Sequence, residues 1–577
     1  MIRSDVIGKG AASGSSPFRP DDPAGAGAAS PPHGERREGA AAPGHPATRG
    51  DRAQPFRRPT GGVVARDRRV HFHFDGELLE GFAGDTVASA LLASGRHMVA
   101  RSFKYHRPRG ILGAGVEDPA ALVQIGRDGA TTEPNCRATE TEIYDGLEVF
   151  PQNAWPSLAF DVGRVNDLLH RFLPAGFYYK TFMAGPIAWM KVEPFIRRAA
   201  GLGRAPSAAD PDRYEHVNLH CDVLVVGAGP AGLSAALAAA RSGARVVLAE
   251  QTPLPGGWLL SADPEAIRIA GMRPAAWAAR AAAELASLPN ATLLTRTTAF
   301  SYQVDNLVLL AERVTDHVPR AARDPALPRQ REWRVRAREV VLATGATERP
   351  LLFHENDRPG IMLASAAVTY AHRYGVLPGR AIAVFTNNDA GYGAALALRA
   401  AGAEIAAVVD ARPHAGDGVS ARIEKAGIPV LTRTVVVGTS GDKRIASARL
   451  MALSGAGQPH GREAVIRCDC LAVAGGFSPD VALFAQSRGQ LRLDPAIGAL
   501  RPARSWQRER SAGSANGTFG LPAVLAEGTA AGLAAARAAG FAPPEAPVPD
   551  AIDHEIWQGE LAEMREMPAA VRRPRAF

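Results

Sequence analysis

The stretch from Cys221 to Gly257, CDVLVVGAGPAGLSAALAAARSGARVVLAEQTPLPGG, restricts the fold of this chain more than any other. Val223 to Val226 is a short apolar run, the pattern of a strand buried on both faces. Gly227, Gly229 and Gly232 follow in G-x-G-x-x-G spacing and open an Ala-rich helix. The first glycine suits a tight turn, and the second lets the backbone approach a pyrophosphate. The third lets helix and strand pack closely, while the helix N-terminus supplies N–H groups and a positive dipole end. A second strand, Arg245 to Ala249, ends at Glu250, 18 residues past Gly232. A carboxylate there accepts hydrogen bonds from a ribose 2′-hydroxyl and repels a 2′-phosphate, so NAD or FAD is favoured over NADP. The glycines alone are weak evidence. Strand, turn, small-residue helix, second strand and acid in that order point to a dinucleotide site rather than a glycine turn kept for packing.

The chain as a whole has an ordinary soluble composition: 46% hydrophobic, 21% charged, net charge +8 over 577 residues. That length suits about three domains at ~100–200 residues each. No run of ~18 apolar residues is uninterrupted; Phe172 to Met190 comes nearest and is broken by Pro174, Lys180 and Pro186. The N-terminus lacks the apolar core of a signal peptide, which predicts a cytoplasmic protein. The one compact basic run, RSFKYHRPRG at 101–110, reads as a solvated loop or protein interface rather than a nucleic-acid surface. Four cysteines do not make a disulfide framework. Cys468 and Cys470 form C-x-C on an expected strand, facing one side, and read as small buried hydrophobes rather than zinc ligands or a redox pair.

Residues 1–65 are rich in Gly, Ala, Pro and Arg and read as a disordered N-terminal segment. Order is expected from about Arg69. Residues 66–150 begin strand, turn at Asp75-Gly76, strand, then a helix with Asp85 as N-cap, the start of a β-grasp ferredoxin-like domain. A [2Fe–2S] cluster needs four thiolates, and only Cys136 lies here, so the module is expected to be cluster-free. Residues 151–219 are irregular and aromatic-rich, an interface or connector segment. The first dinucleotide-binding domain is expected over 220–350, with Gly257 and Trp258 in a second glycine turn at the mouth of the site and Thr344-Gly345 closing a later strand. A second nucleotide-binding-like domain over 351–480 repeats strand, turn, helix, strand and acid from Ala381 to Asp410. Its turn, Asn387-Asn388-Asp389-Ala390-Gly391, lacks the early glycines and places Asp389 where a pyrophosphate wants no negative charge, so it is expected to be degenerate. Residues 481–542 return to the first domain, and 543–577 form a tail with at most one short helix. The fold class is therefore α/β: a Rossmann core of two dinucleotide-binding domains, flavoprotein-like, preceded by a cluster-free β-grasp domain.

These residues together resemble the alpha subunit of heterotetrameric sarcosine oxidase from about Val70 to Gly540. The pieces that carry the resemblance include GDTVASALLASG, RSFKYHRPRGI, EPNCRATE, QNAWPSLAFDVG, LPAGFYYKTFM, VLATGATERP and DRPGIMLASA. The resemblance implies a cytoplasmic complex with beta, gamma and delta subunits that oxidises N-methylglycine. It implies NAD in the alpha subunit, FAD with the amine site on the beta subunit, and FMN at a subunit interface. Carried over by position, the NAD contacts would be Gly227, Gly229, Ala231 and Gly232 at the pyrophosphate and Glu250, Gln251 and Thr252 around the ribose. Trp258 would lie beside the glycine turn, Ala299 near the adenine, and Gly517, Thr518 and Phe519 on the return loop. FAD-binding members of the fold carry Gly-Asp where this chain has Gly513-Ser514, which favours NAD. The family continues into an aminomethyltransferase-like folate domain that this sequence lacks, so a separate chain, a shortened relative and a truncated reading frame all stay open.

Two further readings stand beside this one. A stand-alone FAD-dependent NAD(P)H oxidoreductase of the disulfide-reductase fold is opposed by the missing C-x-x-C and Gly-Asp. A scaffold in which NAD is structural is not distinguished from the first reading, because no acid–base pair stands out. His106, His354 and His372 read as loop or surface histidines.

Overall fold

In the computed structural model, residues 54–173, 185–200, 203, 205–416, 418–559 and 561–562 are described. Alternation of Val70, Phe72 and Phe74 with polar neighbours drives β1 (Ala65–Phe74), whose apolar face is buried. The chain turns at Asp75 and Gly76, both at positive φ, into β2 (Glu77–Ala83). Helix α1 (Val87–Ala93) is capped by Thr86, not Asp85: the Thr86 hydroxyl accepts from the Ser89 amide at 3.2 Å, and Ser89 Oγ accepts from the Thr86 amide at 2.9 Å. Asp85 is instead fully buried and paired with Arg57 at 2.6 Å. Order therefore starts earlier than the composition suggests. Residues 54–64 are held by that ion pair and by the Phe56 amide on the Ala93 carbonyl, while 1–53 lie outside the described residues. Strands β3 (Leu122–Ile125), β4 (Glu133–Arg137) and β5 (Leu147–Pro151) complete a mixed sheet in the order β2-β1-β5-β3-β4, with β1 and β5 parallel.

The connector contains short helical turns over 162–172 and α2 (Pro186–Ala200); residues 174–184 lie outside the description. Then comes the core. Strand β6 (Tyr214–Val226) leads to α3 (Pro230–Ala240), β7 (Val246–Ala249), the short β8 (Ile267–Ile269), α4 (Pro274–Ser287) and β9 (Ala291–Leu294). After β9 the chain breaks at Arg296, which takes positive φ and pairs with Glu142 at 2.6 Å. The hairpin β10 (Thr297–Gln303) and β11 (Leu307–Arg313) follows, then β12 (Gln330–Leu342). The sheet order is β9-β7-β6-β12-β11-β10, with β6 and β12 parallel along twelve paired positions from Tyr214 to Val226.

The second unit is a parallel sheet flanked by helices. Its elements are β13 (Ile361–Leu363), α5 (Ala364–His372), β14 (Ala381–Thr386), α6 (Ala390–Ala400), β15 (Glu404–Asp410), α7 (Val419–Lys425), β16 (Val430–Leu431) and β17 (Cys470–Ala474). They stack in the order β13-β17-β14-β15-β16. Cys468 precedes β17 and packs in a different apolar cluster from Cys470, so the pair does not share a face as expected. The chain then returns: β18 (Glu509–Ser511) joins β12 in parallel, and α8 (Leu521–Ala538) lies against α3. That contact needs glycine, because a Cβ at Gly528 would sit 2.7 Å from the Ala231 Cα. In the described part of the tail, strand β19 (Ala551–Asp553) pairs antiparallel with β8, and residues 554–559 and 561–562 run on between the two units.

Candidate nucleotide site

The glycine turn between β6 and α3 takes the geometry its spacing requires. Gly227 has φ +97°, and a Cβ there would lie 3.0 Å from the Ala343 carbonyl carbon of the neighbouring strand. Gly229 is the N-cap of α3, and a Cβ on it would meet nothing within 4 Å. Gly229, Pro230 and Ala231 all line one cavity, so that open space adjoins the first turn of α3. Gly232 does a different job: a Cβ there would come within 2.9 Å of the Gly227 carbonyl carbon and closer still to its oxygen. It lets helix meet strand and does not line the site.

At the end of β7, Glu250 is 5% exposed and tied to the turn. Its Oε2 accepts from the Ala228 amide at 2.8 Å, and its Oε1 accepts from the Thr252 amide and hydroxyl, both at 2.9 Å. A carboxylate oxygen offers two lone-pair sites, so Oε2 keeps one for a ribose hydroxyl. Gln251 and Thr252 continue the wall.

Together these groups border a cavity of ≈ 1100 Å³ that runs from the first unit toward α5 and α6 of the second. Gly227, Gly229, Ala231, Glu250, Gln251 and Thr252 line it. So do Gly257, Trp258, Ala299, Thr344, Gly345 and Phe519. Thr344 is fixed by its hydroxyl on the Asp480 carbonyl at 2.8 Å. Phe519 stacks near Phe477, ring centroids 6.1 Å apart. Gly517 and Thr518 do not line the cavity. Gly517 ends the short turn Gly513–Asn516 at φ +82° and faces Arg501, so of the three residues 517–519 only Phe519 reaches the site, with Ser514 earlier in the loop.

Several wall residues escaped the sequence reading. Trp557 packs against Trp258 with ring centroids 4.9 Å apart, and its indole N–H donates to Asp553 at 2.9 Å. Glu555 accepts from the Asp263 amide at 3.1 Å, and burial pushes its carboxyl up to about 8. Glu348 accepts from the Ser365 amide at 2.7 Å and is pushed up to about 7 by the same cause. Neither carries a local motif. The histidines are more engaged than expected: His106 Nδ1 lies 2.7 Å from an Asp161 carboxylate oxygen, and His372 is half-buried with burial lowering its pKa. The basic run at 101–110 is built into a junction, with Arg107 (2.6 Å) and Arg109 both on Asp357. Thus it is no solvated loop.

Residues 221–498 match the pyridine nucleotide-disulphide oxidoreductase family. Residues 67–154 match the 2Fe-2S iron-sulfur cluster binding domain family, although this stretch holds one cysteine and does not fit a cluster. Over 498 residues the chain is 49% identical to the sarcosine oxidase subunit alpha of Rhizobium meliloti (strain 1021), covering 85% of this chain and 48% of the relative. Over this stretch the chain is a homologue of sarcosine oxidase alpha subunits. The Corynebacterium sp. (strain U-96) subunit alpha is 37% identical over 506 residues, 86% of this chain and 47% of its own length. The chain therefore spans about half the length of the sarcosine oxidase alpha relatives it matches. The crystal structure of L-proline dehydrogenase from P. horikoshii has the same fold, with TM-score 0.53 and 19% identity over 84% of this chain and 77% of that one. Among the described residues no helix is long and apolar enough to cross a membrane.

Proposed function

We propose that this chain is the nucleotide-holding, alpha-type subunit of an amine-oxidising assembly, with NAD against the amides at 227–232. The observation that carries this reading is the open space over Gly229, beside Glu250 and in front of the α3 N-terminus, in a chain homologous to sarcosine oxidase alpha subunits. The residues present fit a dinucleotide. The amides of α3 take the pyrophosphate, Glu250 Oε2 takes a ribose hydroxyl, and Gln251, Thr252 and Ala299 flank the adenosine end. Thr344, Gly345 and Phe519 border the other end. Trp258, backed by Trp557, forms part of the wall beside the glycine turn. Ser514 puts no carboxylate at the position where FAD-binding members of the fold carry one, which favours NAD. When bound, NAD supplies a hydride-accepting ring.

The secondary-amine chemistry, oxidation of N-methylglycine or a related amino acid, belongs in this reading to a beta-type partner that holds FAD, with FMN at the interface. Support for a partner comes from the connector, where Trp155, Phe160, Leu168, Phe172, Ile187 and Phe195 are each more than two-thirds exposed. So much apolar surface on one segment fits a covered face. Gamma- and delta-type subunits and a cytoplasmic location complete the reading. Co-expression tests it: N-methylglycine should give hydrogen peroxide only when this chain and a beta-type chain are combined. Peroxide from this chain alone, carrying its own flavin, would overturn it.

A further inference from the structure

A nucleotide at the second unit would need three things: free amides at the N-terminus of α6, room in front of them, and a free carboxylate at the end of β15. The N-cap amide and the carboxylate are both engaged and residues 554–559 and 561–562 fill the space at the N-cap, although the Ala390–Ala397 face of α6 borders the cavity. The Asp389 amide donates to the Gln558 carbonyl at 3.0 Å, and Gln558 Oε1 accepts from the Phe477 amide at 2.8 Å. Asn387 and Ala562 exchange two hydrogen bonds, amide to carbonyl at 3.0 Å and Asn387 Nδ2 to the Ala562 carbonyl at 2.9 Å. Ile556 lies on the first turn of α6, so closely that a Cβ on Gly393 would sit 2.8 Å from its carbonyl oxygen. The strand-end acid, Asp410, is fully buried and accepts from the Tyr392 hydroxyl at 2.8 Å and the Arg412 amide at 2.8 Å. Asp389 itself accepts from Arg412 at 2.7 Å and the Gly416 amide at 3.1 Å.

The segment that fills this place is anchored at its other end on the first unit. β19 pairs with β8, and Asp553 accepts from the Leu521 amide at 2.8 Å. The His554 carbonyl accepts from Arg422 at 2.8 Å.

We infer that residues 554–559 and 561–562 are a built-in occupant of the second nucleotide unit, so the chain admits one dinucleotide and takes no pyridine nucleotide at α6. The Gln558 carbonyl stands where a phosphate oxygen would accept from the helix amide, and it brings no charge to the side of Asp389. The consequence for chemistry is directional. Reducing equivalents do not enter this chain from NADH or NADPH through its second unit, unlike a reductase that binds a flavin in one unit and a pyridine nucleotide in the other.

Hydrogen–deuterium exchange on the full chain, with and without excess NADPH, tests this independently of the first site. The amides of 389, 392, 393 and 562 should be protected, and NADPH should leave that protection unchanged. Native mass spectrometry should find no second nucleotide per chain. Gln558→Ala removes the acceptor of the Phe477 amide and Asn387→Ala removes the Nδ2 bond that ties down Ala562, so they should raise exchange at 477 and at 562 respectively by roughly ten-fold. A second bound nucleotide, or exchange at 389 or 562 that rises with NADPH, would overturn the inference, as would unprotected amides at 389 and 562 in the wild-type chain. A chain that binds no nucleotide at all would refute the first-site reading and leave this one standing.

Discussion

Alanine at Gly229 and alanine at Gly232 should do opposite things to this protein. Gly229 has φ −70° and ψ −174°, extended backbone open to any residue, and a methyl there meets no protein atom within 4 Å. In the folded chain Gly229→Ala is therefore free of strain. Narrowing the unfolded ensemble should raise stability by about 0.4–1 kcal/mol. The methyl does occupy the space over the α3 amides, so a pyrophosphate must back away from them. Charge-assisted hydrogen bonds contribute about 1.5–3 kcal/mol each. Losing two weakens NAD by roughly 3 kcal/mol or more, at least about a hundred-fold.

Gly232→Ala presses its Cβ within 2.9 Å of the Gly227 carbonyl carbon and 3.3 Å of the Ala343 Cβ. The first is backbone and cannot rotate aside, so α3 must lift from β6. Overpacking of this kind costs about 1–3 kcal/mol before any cofactor is considered. Thermal melting with and without NAD, alongside equilibrium dialysis, separates the two. Gly229→Ala should melt at or slightly above wild type and respond little to NAD; Gly232→Ala should melt several degrees lower in both conditions. Wild-type NAD affinity in Gly229→Ala would refute the placement of the pyrophosphate. A wild-type melt for Gly232→Ala would refute the close approach of helix and strand.

Three other perturbations follow from buried groups. Glu348 is fully buried with its carboxyl raised from an ordinary 4.5 to about 7, so the folded state holds its proton more tightly than the unfolded one. Its contribution to stability is complete below about pH 4.5 and is lost as pH rises through about 7. Glu348→Gln keeps the acceptor for Ser365 and should remove on the order of 3 kcal/mol of that pH dependence; an unchanged stability–pH profile would contradict it. Arg57→Ala strands the fully buried Asp85 carboxylate and should cost about 3–5 kcal/mol by chemical denaturation, whereas a loss under 1 kcal/mol would mean the pair is solvated. Burial raises all four thiols above their ordinary range, Cys136, Cys221 and Cys468 to about 12. A thiol reagent at pH 8 should label the native chain slowly and the unfolded chain at once, and fast native labelling of any of the four would refute that.

What sequence reasoning could see depended on how local the determining contacts are. Gly227, Gly229, Gly232 and Glu250 act within one βαβ unit, so their spacing carries most of the site. The strand–turn–helix–strand course of the second unit was legible for the same reason, while the Arg412 guanidinium paired with Asp389 was not. Nothing local says what sits against that turn: Gln558 reaches Asp389 across 169 residues, from a stretch whose prolines read as loop. Order at 54–64 likewise rests on Arg57 finding Asp85, an ion pair that a count of apolar residues does not register. The C-x-C pattern misled because the strand begins only at Cys470. Asp469 between the two cysteines accepts from the Arg380 and Ala381 amides, each at 2.9 Å, so Cys468 is not in the strand's alternation. Glu348 and Glu555 have no motif because each is made unusual by what buries it.

The most direct measurement is to denature the purified full chain and identify what it releases, by mass and by quantity. One equivalent of NAD per chain, no flavin, and a large drop in that NAD for Gly229→Ala is the expected result. A stoichiometric flavin in place of NAD, or a Gly229→Ala chain that retains its full complement, would contradict a pyrophosphate seated on the amides of 227–232.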